Sequence, residues 1–201
     1  MKTALFVPGF LKGAKDVKKA QLYAKKVEKI FSQYDWKIMM ADCYHGACNE
    51  SINAYSRRLA DQIACVDPQA IIAHSMGTLV VRGSWKYNRE FSGPIVFVEG
   101  SNAGVSWWKL LLFVKRYPIW RAAMRDTIKE SSFMKDIKED NIPNFNKLLE
   151  IQGKFSQIFL ARNVFVPLEY AERLEKFPLL GHRAIIIDED VIKTIINFIN
   201  S

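Results

Sequence analysis

The sequence predicts an α/β protein, with a mostly parallel sheet of about six strands and helices on both faces. Two observations carry this. Short apolar runs alternate with longer segments whose apolar residues recur at helical spacing. One apolar run, Ala70 to Ala73, is cut by His74-Ser75-Met76-Gly77 and followed at once by a helical pattern. A third feature sets the boundaries: the alternation breaks at Gly104, in a segment of different composition, and resumes after about residue 150.

Thr3 to Val7 is a short apolar run and reads as the first, buried strand. Pro8-Gly9-Phe10 ends it, and a glycine there lets the backbone turn tightly or approach a ligand. From Ala14 to Tyr34, apolar residues Val17, Ala20, Ala24, Val27, Phe31 and Tyr34 mark an amphipathic helix packed on the sheet. Trp36 to Met40 is the next strand, and residues 42–48 a loop. Cys43 and Cys48 flank His45 there, but the spacing fits no zinc pattern, and no metal site is expected. Asn49 or Ser51 caps a helix that runs to Val66 and stops at Asp67-Pro68. Ile95 to Val98 is a further buried strand, ending in Glu99-Gly100.

The segment from about 104 to 150 reads as a helical insertion over the strand ends, within a single domain spanning residues 1–201. Its first part, Trp107 to Trp120, is aromatic with basic residues interleaved; Asp126 to Asp140 is polar and helical. Such a segment either caps a substrate site or supplies core helices. Phe155 to Leu160 is then a strand, Ala161 to Pro167 a loop, and Leu168 to Lys176 a helix opening after proline. Phe177 to Leu180 reads as a stunted last strand, and Asp188 to Asn200 as the closing helix.

Composition narrows the function classes. A chain of 201 residues, 49% apolar and 25% charged, can build one globular core. No apolar stretch approaches the roughly 20 residues of a membrane span. The apolar run at Met1 to Val7 is too short for a signal peptide. Three cysteines make an odd number and no disulfide framework, so a cytoplasmic setting is expected. Much of the net charge of +8 lies on the helix between Lys15 and Lys29, opposite its apolar stripe, and reads as a solvated face. With no zinc finger, RNP-type motif or phosphate loop, nucleic acid is not an expected partner.

Ser75 is the candidate nucleophile. A serine on a strained strand-to-helix turn projects its hydroxyl above the sheet, and its neighbours two residues away, here Ala73 and Gly77, must be small. The helix that follows aims free N–H groups at the site, so the Met76 N–H is a candidate oxyanion donor. In a serine hydrolase the loop after the first strand supplies the second donor, here the Phe10 N–H, though that loop also reads as an ordinary strand-to-helix turn. The same pattern also fits an N-cap serine on a buried helix. Phe10, Ser75 and Glu99 all lie just beyond strand ends, where open parallel sheets bind ligands.

Along nearly its whole length the chain resembles the α/β-hydrolase family, and most closely small bacterial lipases and esterases. The residues that carry the resemblance are Pro8-Gly9-Phe10, Ala73-His74-Ser75-Met76-Gly77, the Val166-Pro167 loop, and Gly181-His182 before a terminal helix. The resemblance implies Ser75 as nucleophile, His182 as general base and acid, and the Phe10 and Met76 N–H groups as an oxyanion hole. His74, beside the nucleophile, is expected to point elsewhere.

The oxyanion loop has Pro8 where the family usually carries histidine. The position where the family's acid is expected, four residues before Pro167, is Asn163, an amide. Two residues therefore compete to face His182. Glu99 ends the strand after the nucleophile helix, where pancreatic-type lipases of the family carry their acid. Asn163 holds the usual position without a charge. The resemblance implies a serine hydrolase of carboxylic esters acting by two-step acyl transfer, with no metal or organic cofactor. A thioesterase or amidase is the alternative within enzymes; a catalytically silent binding scaffold is the alternative outside them. Trp107 and Trp108 are expected to border an apolar acyl site on a small-molecule ester, and their basic, aromatic segment suits weak association with an anionic membrane surface.

Overall fold

The computed structural model describes residues 1–9, 14–43, 50–100, 104, 122–128, 131–139, 147–153, 173–182 and 184–201. Among these, β1 (Lys2–Val7), β2 (Trp36–Met40), β3 (Ala70–His74), β4 (Ile95–Val98), β5 (Leu148–Gly153) and β6 (Arg173–Phe177) form one sheet. The strand order is β2-β1-β3-β4-β5-β6, and every neighbouring pair is parallel.

Strand periodicity explains the layers. Successive side chains point to opposite faces, so each central strand feeds two cores. Leu5, Val7, Ile71, Ala73, Ile95, Phe97 and Leu148 face one layer. They pack there against α2 (Ile52–Val66), α3 (Gly77–Ser84) and α5 (Ser132–Glu139) through residues such as Tyr55, Leu59, Leu79, Phe133 and Met134. Ala4, Phe6, Ile72, Val96, Val98, Leu149 and Ile151 face the other. That layer is closed by α1 (Ala14–Phe31) and α6 (Glu189–Asn200) through Val27, Phe31, Val191, Ile195 and Ile199. Each fully buried large apolar side chain contributes roughly 1.5–3 kcal/mol. The two-sided burial is why the strands read as continuous apolar runs.

The sheet direction reverses between β1 and β3. The chain goes from β1 outward to β2, then returns to the far side of β1 and proceeds to β6. Open parallel sheets bind ligands beyond the carboxyl ends of the strands at such a reversal, which here means the ends of β1 and β3. Pro8-Gly9 and Ser75 are the residues that open from those ends.

Helix ends follow their local chemistry. Ser51 caps α2, its hydroxyl accepting from the Ala54 N–H at 3.2 Å. Asp188 caps α6, accepting from the N–H groups of Asp190 and Val191. No helix among the described residues is long and apolar enough to cross a membrane.

Three expectations are corrected. A strand occupies Leu148–Gly153, partly inside the stretch assigned to the insertion. Glu150 and Gln152 interrupt its apolar run, yet both are buried, on the side of the sheet that carries α3. The strand expected at 155–160 lies outside the described residues. The helix expected over Leu168 to Lys176 gives way, from Arg173 onward, to strand β6, whose backbone is held by pairing with β5. Its sequence, Arg-Leu-Glu-Lys-Phe, is polar because it lies at the edge of the sheet. Phe177 ends this strand, so Pro178 to Leu180 form a turn rather than a strand of their own. Between β4 and β5, the described residues form α4 (Ala122–Asp126) and α5, and α5 buries Phe133, Met134 and Ile137 in the core.

Candidate active site

Ser75 follows β3 directly and has φ 55, the left-handed region that a non-glycine residue adopts only under constraint. The turn passes at once into α3, whose first turn is closed by the Thr78 N–H and hydroxyl, both donating to the Ser75 carbonyl. The required closeness explains two glycines. A Cβ on Gly77 would strike the Val7 carbonyl and come within 2.6 Å of that of Pro8. A Cβ on Gly9 would lie 2.7 Å from the Ser75 Cβ and 3.2 Å from its Oγ. The loop after β1 therefore runs directly against the serine.

Glu99 occupies the equivalent place on the adjacent strand. The β3–β4 register pairs His74 with Val98, so the next residues, Ser75 and Glu99, leave the sheet side by side. Glu99 also has positive φ, 51. Its side chain is fully buried. One carboxylate oxygen, Oε1, accepts from the Gly153 N–H at the end of β5. The other, Oε2, lies 3.1 Å from His182 Nδ1. Gly153 must be glycine for this approach, because a Cβ there would meet Glu99 Oε1 at 2.6 Å.

His182 comes from the loop between β6 and α6. Its Nε2 lies 3.0 Å from Ser75 Oγ, so the imidazole bridges serine and carboxylate. A ring whose Nδ1–H donates to the carboxylate presents an Nε2 lone pair to the serine hydroxyl. The histidine side chain is 25% exposed while the Glu99 side chain is at 0%, so the carboxylate is shut away behind a ring that is itself partly open to solvent.

His74 does not point away from this group, which corrects the sequence expectation. Its ring lies 4.5 Å, centroid to centroid, from that of His182. Its Nε2 donates to the His182 carbonyl at 2.9 Å. The signal that would have found it is strand alternation: two residues after Ile72, His74 faces the layer on which the closing helix packs.

The Met76 N–H opens α3, and no acceptor holds it among the described residues. Phe10, Asn163, Trp107 and Trp108 lie outside the described residues. Among the described residues, no three His, Cys, Asp or Glu side chains group as a metal site would.

A second polar cluster is buried beneath α3 and α5. Arg82 of α3 donates to the Ile137 carbonyl, and Gln152 donates to Glu150 Oε1 at 3.3 Å. Burial pushes the Glu150 carboxyl up to about 7 and, against the attraction of Glu150, lowers the Arg82 guanidinium to about 10.

A sheet with a strained serine at its direction reversal, a histidine from the last loop and a carboxylate on the neighbouring strand defines the α/β-hydrolase class of architecture. No family model and no curated protein matches the sequence. Solved structures match its fold. A lipase-esterase related protein from Clostridium acetobutylicum superposes with TM-score 0.57 at 16% identity, over 98% of this chain and 94% of that one. Polyneuridine aldehyde esterase gives 0.61 at 13% identity over the whole of both chains. An α/β-hydrolase enzyme from the metagenome of lagoon sediments at Mar Chica, Morocco, gives 0.64 at 13%, over 99% of this chain and 90% of that one. The chain has the α/β-hydrolase fold.

Proposed function

We propose that this chain is a serine hydrolase that cleaves carboxylic esters by two-step acyl transfer. The observation that carries the reading is the unbroken series Ser75 Oγ, His182 imidazole, Glu99 carboxylate, with contacts of 3.0 and 3.1 Å. His182 Nε2 takes the Ser75 proton as Oγ attacks the ester carbonyl carbon. Glu99 holds the ring and stabilises the imidazolium that forms. The carbonyl oxygen, now negative, accepts from the Met76 and Phe10 N–H groups. The imidazolium then protonates the leaving alcohol. A water molecule, giving its proton to His182, attacks the acyl-enzyme carbonyl; the bond to Ser75 Oγ then breaks, the imidazolium returns the proton to Oγ, and the acid is released.

The names of the similar structures, a lipase-esterase related protein and polyneuridine aldehyde esterase, favour esters over thioesters or amides. The substrate is a small-molecule ester with an apolar acyl chain, bordered by Trp107 and Trp108. An alkyl fluorophosphonate tests the mechanism. It labels the wild type at Ser75 and leaves Ser75→Ala unlabelled. Full labelling of the alanine variant moves the nucleophile elsewhere. A well-folded wild type that neither labels nor hydrolyses p-nitrophenyl esters is a silent scaffold.

A further inference from the structure

We propose that His74 is a positioning residue, which grips the backbone of His182 and so fixes the imidazole on Ser75. The inference rests on the serine-hydrolase reading and deepens it. His182 lies on a turn between β6 and α6, outside the sheet, and its immediate neighbour Gly181 is exposed. The turn is tied internally by Leu180 N–H to the Phe177 carbonyl and by Ile185 N–H to the Gly181 carbonyl. Neither bond reaches from the turn to the strand that carries the serine.

His74 supplies that link. It is the last residue of β3, 7% exposed, and its backbone is fixed by pairing with Val98. A donor on such a strand moves little. Its Nε2–H binds the His182 carbonyl at 2.9 Å, and its ring packs at 39° against the ring it serves. Because a carbonyl only accepts, His74 Nε2 must carry the hydrogen. The neutral tautomer with hydrogen on Nε2 meets this need without placing a second positive charge 4.5 Å from the imidazolium that forms on His182. Ser75 and His74 are consecutive, so one rigid strand end sets both the nucleophile and the position of its base. Misplacement of a reacting group by about 1 Å costs on the order of 100-fold in rate.

The test compares two substitutions. In His74→Gln the amide nitrogen reaches the former Nε2 position and keeps a donor; His74→Met fills similar space without one. Thermal unfolding first establishes that both fold. His74→Met is expected to lose about 10- to 100-fold in kcat, with KM nearly unchanged. His74→Gln is expected to recover most of that loss. A merely structural histidine would show no such split between the two. Hydrogen–deuterium exchange over residues 180–187 gives a readout independent of turnover: faster in His74→Met, protected in His74→Gln. Equal kcat in His74→Met and wild type, or equal exchange in the two variants, overturns the positioning role while leaving the hydrolase reading intact. A wild type inert to fluorophosphonate and to esters overturns both, even where exchange reveals the backbone grip.

Discussion

Glu99 Oε2 stands 3.1 Å from His182 Nδ1, although 83 positions separate the two residues in the chain. The contact exists because Glu99 leaves β4 at the same level as Ser75 leaves β3, and because the Gly153 N–H turns the carboxylate toward the ring. Both contacts help to satisfy a carboxylate that is wholly buried, so loss of either is costly.

Removing its charge is the first expected outcome. Glu99→Gln should lower kcat by about 10⁴, as loss of a triad carboxylate does elsewhere. Asn163→Ala should cost far less. A nearly silent Glu99→Gln, together with a gain in kcat for Asn163→Asp, would return the acid to the usual family position.

Gly153 offers a milder perturbation of the same carboxylate. In Gly153→Ala the new methyl group would sit 2.6 Å from Glu99 Oε1 and 2.8 Å from the Leu180 carbonyl. The carboxylate, the turn or both must shift. The expected loss in kcat is about 10- to 100-fold, with a destabilisation of about 1–3 kcal/mol in urea. Wild-type kcat in this variant would show that Glu99 does not depend on the β5 end.

Stability should carry the mark of Glu150. Its folded value of about 7 lies above the ordinary carboxyl value of 4.5, so the native state holds this proton longer than the unfolded chain does. Stability from this group is therefore fully present below about 4.5 and lost as pH rises through about 7. Across that window the loss is up to about 3 kcal/mol. Glu150→Gln cannot titrate. Its unfolding free energy relative to wild type should rise across this window and then level off, measured by urea midpoints at each pH. A constant difference from pH 4 to 8 would mean that Glu150 titrates normally.

Acyl length tests the segment around Trp107 and Trp108. Each methylene buried in an apolar site is worth roughly 0.8 kcal/mol, or about fourfold in kcat/KM. Longer p-nitrophenyl esters should gain by that step until the site is full. Trp107→Ala or Trp108→Ala should shrink the step. Activity that falls steadily beyond acetate excludes an apolar acyl site. Anionic vesicles at low salt separately test surface binding, which salt should weaken.

Much of the architecture was written in local patterns. The first four strands, the helices between them and the closing helix follow from apolar period, and a cap such as Ser51 marks where α2 begins, because those signals act within a few residues. The last two strands were not legible in this way. β5 contains Glu150 and Gln152, which look like solvent-facing residues but lie buried near Arg82 of α3. β6 is a polar edge strand held by its pairing with β5 rather than by its own propensity.

The sequence by itself determined the turn at Ser75, because a strand running into a helix through small residues leaves the chain few ways to pass. It named two groups that could face His182, but nothing local chooses between residues 83 and 19 positions away. The tertiary structure decided which described groups meet: sheet register sets Glu99 beside Ser75, the β5 end supplies the Gly153 N–H, and the return of the chain before α6 lays His182 over His74. Register and crossover are properties of paired strands, and no single stretch of sequence contains them.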